Sequence, residues 1–383
     1  MNIFQRSRNS LRLRPLFLLA DLESGGAQRV ILNVLRRLDR ERFEPHLGIV
    51  NMTGPMIGEI PRDAVVHDIG HDIGAGRVRY AVPGLIRLCR TLNPPVLLST
   101  LGHLNIAVLA VRFAFPCKTG IVVREANLPS IRLKYTRYPW IYRALYRLLY
   151  PGADAIICNS DYMKEDLART LRVPAGKVFV IPNPVDRERI ARLLRGSRSP
   201  YSRGKYNFVT VGRFHYQKGF DMLLQAFRFT RRRVPGVHLT LVGEGEDEGL
   251  LRKIVTDGGM DHAVTFAGPQ PNPFPFMAYS DLFISSSRWE GSPNAVLESL
   301  ACGTPVLAFD CPGGTKEIIK EELNGWLVPA RNVEALGMKM VELCEREAWK
   351  RMRGYDLLPE AYRSGDVCRR YEELFQRVAR GDL

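Results

Sequence analysis

Along most of the chain, short apolar runs alternate with longer stretches in which apolar residues recur every third or fourth position. A short continuous run reads as a strand covered on both faces, and the helical recurrence as a helix with one apolar stripe. Leu16 to Ala20 predicts such a strand and Asp21 to Gly26 a turn, while Ala27, Val30, Ile31, Val34, Leu35 and Leu38 predict one helix face. Further strands are predicted at His46 to Val50, Val96 to Thr100, Gly120 to Arg124, Asp154 to Asn159 and Val178 to Pro182. Strands separated by helices pair in parallel, so residues 15–186 are expected to form one doubly wound α/β domain.

From Arg187 to Lys205 the periodicity fades. That stretch holds seven basic residues, one acid (Glu188), and Gly, Ser and Pro, and it reads as a linker or a helix flanking one. The alternation then restarts. Asn207 to Val211, His238 to Val242, Val264 to Ala267, Asp281 to Ser286 and Pro305 to Phe309 predict strands of a second α/β domain over 206–363. Tyr371, Leu374 and Phe375 mark one face of a last helix, roughly Val367 to Val378, within 364–383. No internal repeat or low-complexity tract interrupts this plan.

Composition narrows the class. The 383 residues are 45% apolar and 25% charged, with 33 Gly and 25 Pro, which fits a globular enzyme and excludes collagen-like or disordered classes. The charge of +15 points to an anionic partner: nucleic acid, acidic membrane or phosphorylated small molecule. Residues 1–14 contribute Arg6, Arg8, Arg12 and Arg14 without an acid and read as a basic arm. The seven Cys include no Cys-x-x-Cys, so neither a disulfide framework nor a zinc site is expected, and the compartment is expected to be reducing. No apolar run is long enough to span a bilayer.

The candidate chemistry lies where predicted strands end. Gly25-Gly26 sits between the first strand and its helix, where backbone can approach a ligand and helix N–H groups can face an anion. Gly243-Glu244-Gly245 follows a second-domain strand but lacks the third glycine of a dinucleotide fingerprint, which disfavours NAD. Gly212-Arg213 and Lys218-Gly219 place an Arg fork and a Lys point charge at one sheet edge, a pair suited to a diphosphate or, equally, two solvated loop cations. In Ser286-Ser287-Arg288-Trp289-Glu290-Gly291-Ser292-Pro293-Asn294-Ala295-Val296-Leu297-Glu298, Ser292 is expected to cap a helix and Pro293 to begin it. Glu290 then lies in the entering loop and Glu298 on the second turn, where two carboxylates can accept hydrogen bonds from different parts of a hydroxylated ligand. Gly313-Gly314 with Glu317 repeats the pattern of glycines opening a helix.

Taken in order and spacing, Gly25-Gly26-Ala27-Gln28-Arg29-Val30, Gly212-Arg213 with Lys218-Gly219, Glu290 with Glu298, and Gly313-Gly314 with Glu317 resemble the family 4 retaining glycosyltransferases. Arg124-Glu125, Asn159-Ser160 and Ile181-Pro182-Asn183-Pro184-Val185-Asp186 look like that family too, and the likeness covers nearly all of the chain beyond residue 14. It implies a GT-B fold of two Rossmann-like domains facing across a cleft, with a last helix crossing back to the first domain. It also implies a nucleotide-sugar donor held mostly by the second domain and an acceptor met mostly by the first. Arg213 and Lys218 would neutralise the diphosphate, Glu298 would bind ribose and Glu290 the transferred sugar. Backbone near Gly291, Ser292 and Gly314 would help hold sugar or phosphate, and His103 would approach the sugar's primary hydroxyl. Gln28 and Lys316 depart from the family's frequent Glu and Pro. Because no Asp-x-Asp occurs, no metal or other cofactor is expected, and the leaving charge falls to Arg213 and Lys218.

One segment stands apart. Ile131 to Tyr150 holds five basic residues and six aromatics, and no acid occurs from Ala126 to Ala153. Arg132, Lys134, Arg137, Arg143 and Arg147, with Trp140, read as a membrane-surface or lipid-diphosphate site. The plainer alternative is a helix with Ile141, Leu145, Leu148 and Leu149 inward. Family context favours lipid over nucleic acid. The expected enzyme therefore works on the cytoplasmic face of a membrane, transferring a sugar from a UDP-linked donor to a lipid-linked or cell-surface glycan. A soluble-acceptor transferase, a nucleotide-sugar epimerase and a noncatalytic basic binding protein are the alternatives.

Overall fold

The computed structural model describes residues 12–23, 25–70, 78–201, 206–352 and 355–383. Residues 1–11 of the expected arm and 202–205 of the stretch read as a linker lie outside them. The chain divides into two compact units: the first ends at Pro184 and takes in Ser364–Leu383, and the second is Val185–Arg363.

The first unit runs β1 (Leu16–Leu19), α1 (Gly26–Arg37), β2 (His46–Ile49), β3 (Val65–Asp68), α2 (Val78–Leu92), β4 (Val96–Thr100), α3 (Gly102–Ala110) and β5 (Gly120–Arg124). It continues through α4 (Pro129–Lys134), α5 (Pro139–Leu149), β6 (Ala155–Cys158), α6 (Asp161–Leu171) and β7 (Val178–Val180). Among the described residues these strands form one parallel sheet in the order β3-β2-β1-β4-β5-β6-β7. Most of the strands read from the sequence are buried, the edge strand β7 only in part. The missed strand, β3, is an edge whose Val65 and Val66 are each 39% exposed, so it carries no apolar run.

The second unit opens with α7 (Arg187–Leu194), inside the stretch read as a linker; Asp186 Oδ1 accepts from Arg189 N at 3.1 Å and Ile190 is buried. Then come β8 (Tyr206–Val211), α8 (Phe220–Arg233), β9 (Val237–Val242), α9 (Glu248–Asp257), β10 (Val264–Gly268), α10 (Phe274–Ala278) and β11 (Leu282–Ser285). The unit closes with α11 (Asn294–Ala301), β12 (Val306–Asp310), α12 (Thr315–Ile318), β13 (Gly325–Pro329) and α13 (Val333–Arg346). Its parallel sheet has the order β10-β9-β8-β11-β12-β13 among the described residues. The second missed strand, β13, is again an edge, which is where its Gly and Pro are tolerated.

The final helix, α14 (Ser364–Arg380), belongs to the first unit. Its apolar face, Tyr371, Leu374 and Phe375, joins Phe17, Leu19, Ile31 and Leu35 in that unit's core, with the Phe375 ring edge-on to Phe17 at 5.6 Å.

Two local expectations are corrected. Pro293 is extended (φ −75°, ψ 100°), so α11 begins one residue later than predicted, with Pro293 rather than Ser292 at its N-cap and the Pro293 carbonyl accepting from Val296 and Leu297. In α5, Leu148 is 76% exposed, while Tyr146 and Tyr150 are buried. Residues 146 and 150 share the inner face at a spacing of one turn; Trp140, Ala144 and Leu148 form the opposite stripe. Tyr146 and Tyr150 thus join the inward side, Ile141, Leu145 and Leu149 are half-buried, and of the four residues read as inward only Leu148 is exposed.

Candidate active site

In the second unit β8 lies beside β11, although β9 and β10 intervene in sequence. At such a reversal of strand order the loops leaving two adjacent carboxyl ends diverge and leave room for a ligand. The loop after β8 carries Gly212, Arg213 and Lys218, and the loop after β11 carries Glu290, Gly291 and Ser292. Lys218 ends a tight 3-10 turn, Tyr216–Lys218, and its Nζ donates to Glu290 Oε1 at 2.6 Å. Ser287 Oγ donates to the same oxygen at 2.7 Å, so Glu290, only 6% exposed, is buried with partners. Arg213 is exposed, and among the described residues none forms an ion pair with it.

The glycines explain how the loops approach each other. Glu290 N donates to Pro312 O at 3.0 Å and Gly314 N to Gly291 O at 2.9 Å, lacing two loops backbone to backbone. Gly313 has φ +127°, and a Cβ there would lie 1.5 Å from the Glu290 carbonyl oxygen, so only glycine fits. Gly314 caps α12, and half-buried Glu317 lies within that helix. Glu298 is half-buried on the second turn of α11, and Gly243 N donates to Gly268 O at 2.9 Å just past β9. The second-unit residues singled out from the sequence thus lie on loops and helix starts at one edge of its sheet.

The first unit uses the same place in its own sheet, where β1 neighbours β4. Gly25 is the N-cap of α1 and Gly26 its first residue; Gln28 Nε2, one turn in, donates to Asp21 Oδ1 at 2.7 Å. His103 is the second residue of α3 and follows Leu101, a non-glycine residue at φ +77°, a conformation that costs about 1–3 kcal/mol and gathers at functional sites. The His103 imidazole is half-buried, with Nδ1 at 3.4 Å from Arg132 Nη2. Burial lowers its pKa below the ordinary range; the Arg132 cation adds to this and Asp21 opposes it.

Arg132 is thereby parted from the basic segment in which the sequence placed it. It turns inward and is half-buried, whereas Lys134, Arg137, Trp140, Arg143 and Arg147 are exposed, Trp140 at 71%. Behind it lies a node that motif reasoning did not resolve. Glu125, 1% exposed, accepts from Tyr150 Oη and from Asn105 Nδ2, the latter at 3.2 Å, and Ser99 Oγ donates to Asn105 Oδ1 at 2.7 Å. Burial pushes the Glu125 carboxyl pKa up. The available signal was a charged pair, Arg124-Glu125, directly after a buried strand. Among the described residues no group of three or more His, Cys, Asp or Glu is placed to hold a metal ion, and no helix is long and apolar enough to cross a membrane.

Two Rossmann-like units of parallel sheet are the GT-B architecture, and the family models that match them identify a glycosyltransferase. The model of Glycosyltransferase Family 4 matches residues 24–189, and that of Glycosyl transferases group 1 matches 205–346. The chain belongs to this family.

Among its relatives is the N-acetylgalactosamine-N,N'-diacetylbacillosaminyl-diphospho-undecaprenol 4-alpha-N-acetylgalactosaminyltransferase of Campylobacter jejuni, 27% identical over 86% of this chain and 90% of that protein. The lipopolysaccharide core biosynthesis glycosyltransferase LpsE of Rhizobium meliloti is 36% identical over 50% of this chain and 54% of its own. An uncharacterized glycosyltransferase of Methanocaldococcus jannaschii is 27% identical, and the chain spans 61% of its length. The solved structure of Anabaena HepE in complex with UDP superposes with a TM-score of 0.76 at 18% identity, covering 95% of this chain and all (100%) of that one.

Proposed function

We propose that this glycosyltransferase is a retaining enzyme that moves a sugar from a UDP-linked donor to a lipid-linked or cell-surface glycan, without a metal ion, at the cytoplasmic face of a membrane. The observation that carries the reading is the Lys218–Glu290 pair at 2.6 Å, with Arg213 exposed on the same loop. A diphosphate and a sugar can replace the two halves of that pair for each other: Lys218 turns to phosphate oxygens and Glu290 accepts from sugar hydroxyls. Glu298 is assigned to ribose, and the backbone of Gly291, Ser292, Gly313 and Gly314 to sugar or phosphate.

In the proposed step the bond from the anomeric carbon to the β-phosphate oxygen breaks, and the leaving diphosphate takes the electron pair. The acceptor hydroxyl oxygen bonds that carbon on the same face, and its proton passes to the departing phosphate. Arg213 and Lys218 stabilise the charge that grows on the leaving group, the task a metal performs elsewhere. Neutral His103 is assigned to the sugar and inward-turned Arg132 to an anionic part of the acceptor. The exposed Trp140–Leu148 stripe, flanked by Arg143 and Arg147, supports a peripheral membrane contact. The Campylobacter relative's diphospho-undecaprenol name and the UDP in the HepE structure support the acceptor and donor classes.

Thermal shift against a panel of nucleotide sugars tests the donor, since ligand at about 100 times its Kd adds roughly 2.7 kcal/mol. UDP-sugars are expected to raise Tm, and transfer to a lipid-diphosphate acceptor is expected to persist in excess EDTA with the anomeric configuration kept. A panel in which no nucleotide sugar shifts Tm overturns the reading.

A further inference from the structure

The loop after β11 does more than supply Glu290: it holds the turn that carries Lys218 by its carbonyl oxygens, one after another. Arg288 Nη1 donates to Tyr216 O at 2.6 Å, Arg288 N to Gln217 O at 2.7 Å, and Ser286 Oγ to Lys218 O at 3.0 Å. In return Gln217 Nε2 donates to Trp289 O at 3.1 Å. The Arg288 fork is fixed by Asp221 on the first turn of α8, with Nη1 to Oδ1 at 2.9 Å and Nη2 to Oδ2 at 2.6 Å. Its guanidinium carbon lies 3.9 Å from the Tyr216 ring centroid, and the residue is 7% exposed. Between turn and helix, Gly219 has φ +63°, and a Cβ there would lie 2.2 Å from Ser286 O, so the two loops close on each other at full contact.

Such a clamp answers a physical need. A three-residue 3-10 turn leaves its carbonyls poorly satisfied, and a lysine head on four methylenes is held only as well as the backbone beneath it. We infer that Arg288, locked by Asp221, is the positioning residue that sets Lys218 against Glu290, so that the two loops act as one rigid frame. The inference rests on the reading of Lys218 as the cation at the leaving diphosphate. Arg288 itself is spent on Asp221 and Tyr216, both within the protein. A lysine at 288 keeps the charge but cannot reproduce the bidentate fork, the third bond to Tyr216 O and the ring stacking together.

The test uses the full chain, with Arg288→Lys and, as the gentler variant, Asp221→Asn. The first measurement is the rate of acetylation of Lys218 by a soluble acylating reagent, read by mass spectrometry against Lys339 as an internal standard. Release of Lys218 from Glu290 is expected to raise its labelling at least about fivefold in both variants, with Lys339 unchanged. The second is a double-mutant cycle on sugar transfer, which separates a residue acting through Lys218 from one that merely supports the fold. Arg288→Lys is expected to lower kcat by about tenfold or more with donor KM within about threefold, and to have no further effect in a Lys218→Ala background. Unchanged Lys218 labelling in both variants overturns the inference, as does an undiminished effect of Arg288→Lys on top of Lys218→Ala. Raised labelling with full transfer activity leaves the clamp standing and removes Lys218 from the proposed chemistry instead.

Discussion

The two units place their functional loops at the same topological point yet handle charge in opposite ways. In the second unit, cation meets carboxylate across the strand reversal: Lys218 on Glu290 at 2.6 Å and Arg288 on Asp221 at 2.6 Å. In the first, the most deeply buried charged residues have neutral partners. Arg124 donates to Tyr371 Oη, Asn183 Oδ1 and Thr100 Oγ1 at 3.2, 2.6 and 3.4 Å, and Glu125 accepts from Tyr150 and Asn105. A salt bridge at a loop edge can exchange its partner for a ligand's charge, because both ions keep a charged partner throughout. A buried charge held only by neutral groups cannot exchange them without leaving a polar group unsatisfied, so such a network holds geometry instead. On the proposed reading, the second unit exchanges these partners for an anionic ligand, and the first is a fixed base for His103 and Arg132.

If that contrast is right, deletion in the second unit removes activity and spares the fold. Lys218→Ala, and separately Arg213→Ala, are expected to lower turnover about a hundredfold, on the order of 3 kcal/mol, with Tm nearly unchanged. Turnover within about threefold of wild type in both would remove the pair from the site. The exposed cations on and just before α5 give the next largest effect. Changing Arg137, Arg143 and Arg147 to Gln together is expected to weaken co-sedimentation with anionic vesicles by up to about a hundredfold at low salt, at roughly 1 kcal/mol per basic residue. Equal partitioning of variant and wild type would make the segment an ordinary solvated helix.

The first unit should respond in stability. Glu125→Ala strands the Tyr150 and Asn105 groups and is expected to cost about 2 kcal/mol by denaturant unfolding, whereas Glu125→Gln, which keeps an acceptor oxygen in the same place, costs far less. Equal losses in the two variants would mean the carboxyl is needed as an anion and the contrast between the units fails. Within the second unit a finer split is expected at roughly tenfold: Glu298→Gln weakens calorimetric binding of UDP, while Glu290→Gln spares it and lowers kcat. The reverse pattern would exchange the two assignments.

The smallest effect concerns the sheet edge of the first unit. His46 Nδ1 and His67 Nε2 lie 2.9 Å apart, and burial lowers both pKa values, with His67 adding to the shift of His46. A folded state that binds protons less readily than the unfolded chain loses stability as pH falls below the ordinary histidine value of about 6.5. The drop in Tm from about pH 7.5 to about pH 5.5 is therefore expected to shrink in His67→Gln. An identical drop in both proteins would show that the pair does not titrate with unfolding.

Periodicity alone determined much of the fold. Val96–Thr100 and Gly120–Arg124 are strands over the residues predicted, because strands covered on both faces must be continuously apolar. Of the four sheet edges, Val178–Val180 and Val264–Gly268 were read and Val65–Asp68 and Gly325–Pro329 were missed: the first of the missed pair is largely exposed, and the second offers an apolar run of only three residues, Trp326 to Val328. The motif residues were legible for a related reason: glycines and charges directly after buried strands mark the carboxyl edge of a parallel sheet wherever they occur. Only the tertiary structure decided which of them meet. Lys218 and Glu290 are 72 residues apart, and Arg288 and Asp221 are 67 apart; each pair forms because β8 and β11 are neighbours in a sheet whose order the sequence does not spell out. Arg132 and Arg143 looked alike within one basic segment, yet one turns in toward His103 and the other faces solvent. Which way each residue faces was fixed by the packing of α4 and α5, because a local charge pattern is the same on either side of a helix until a neighbour covers one of them.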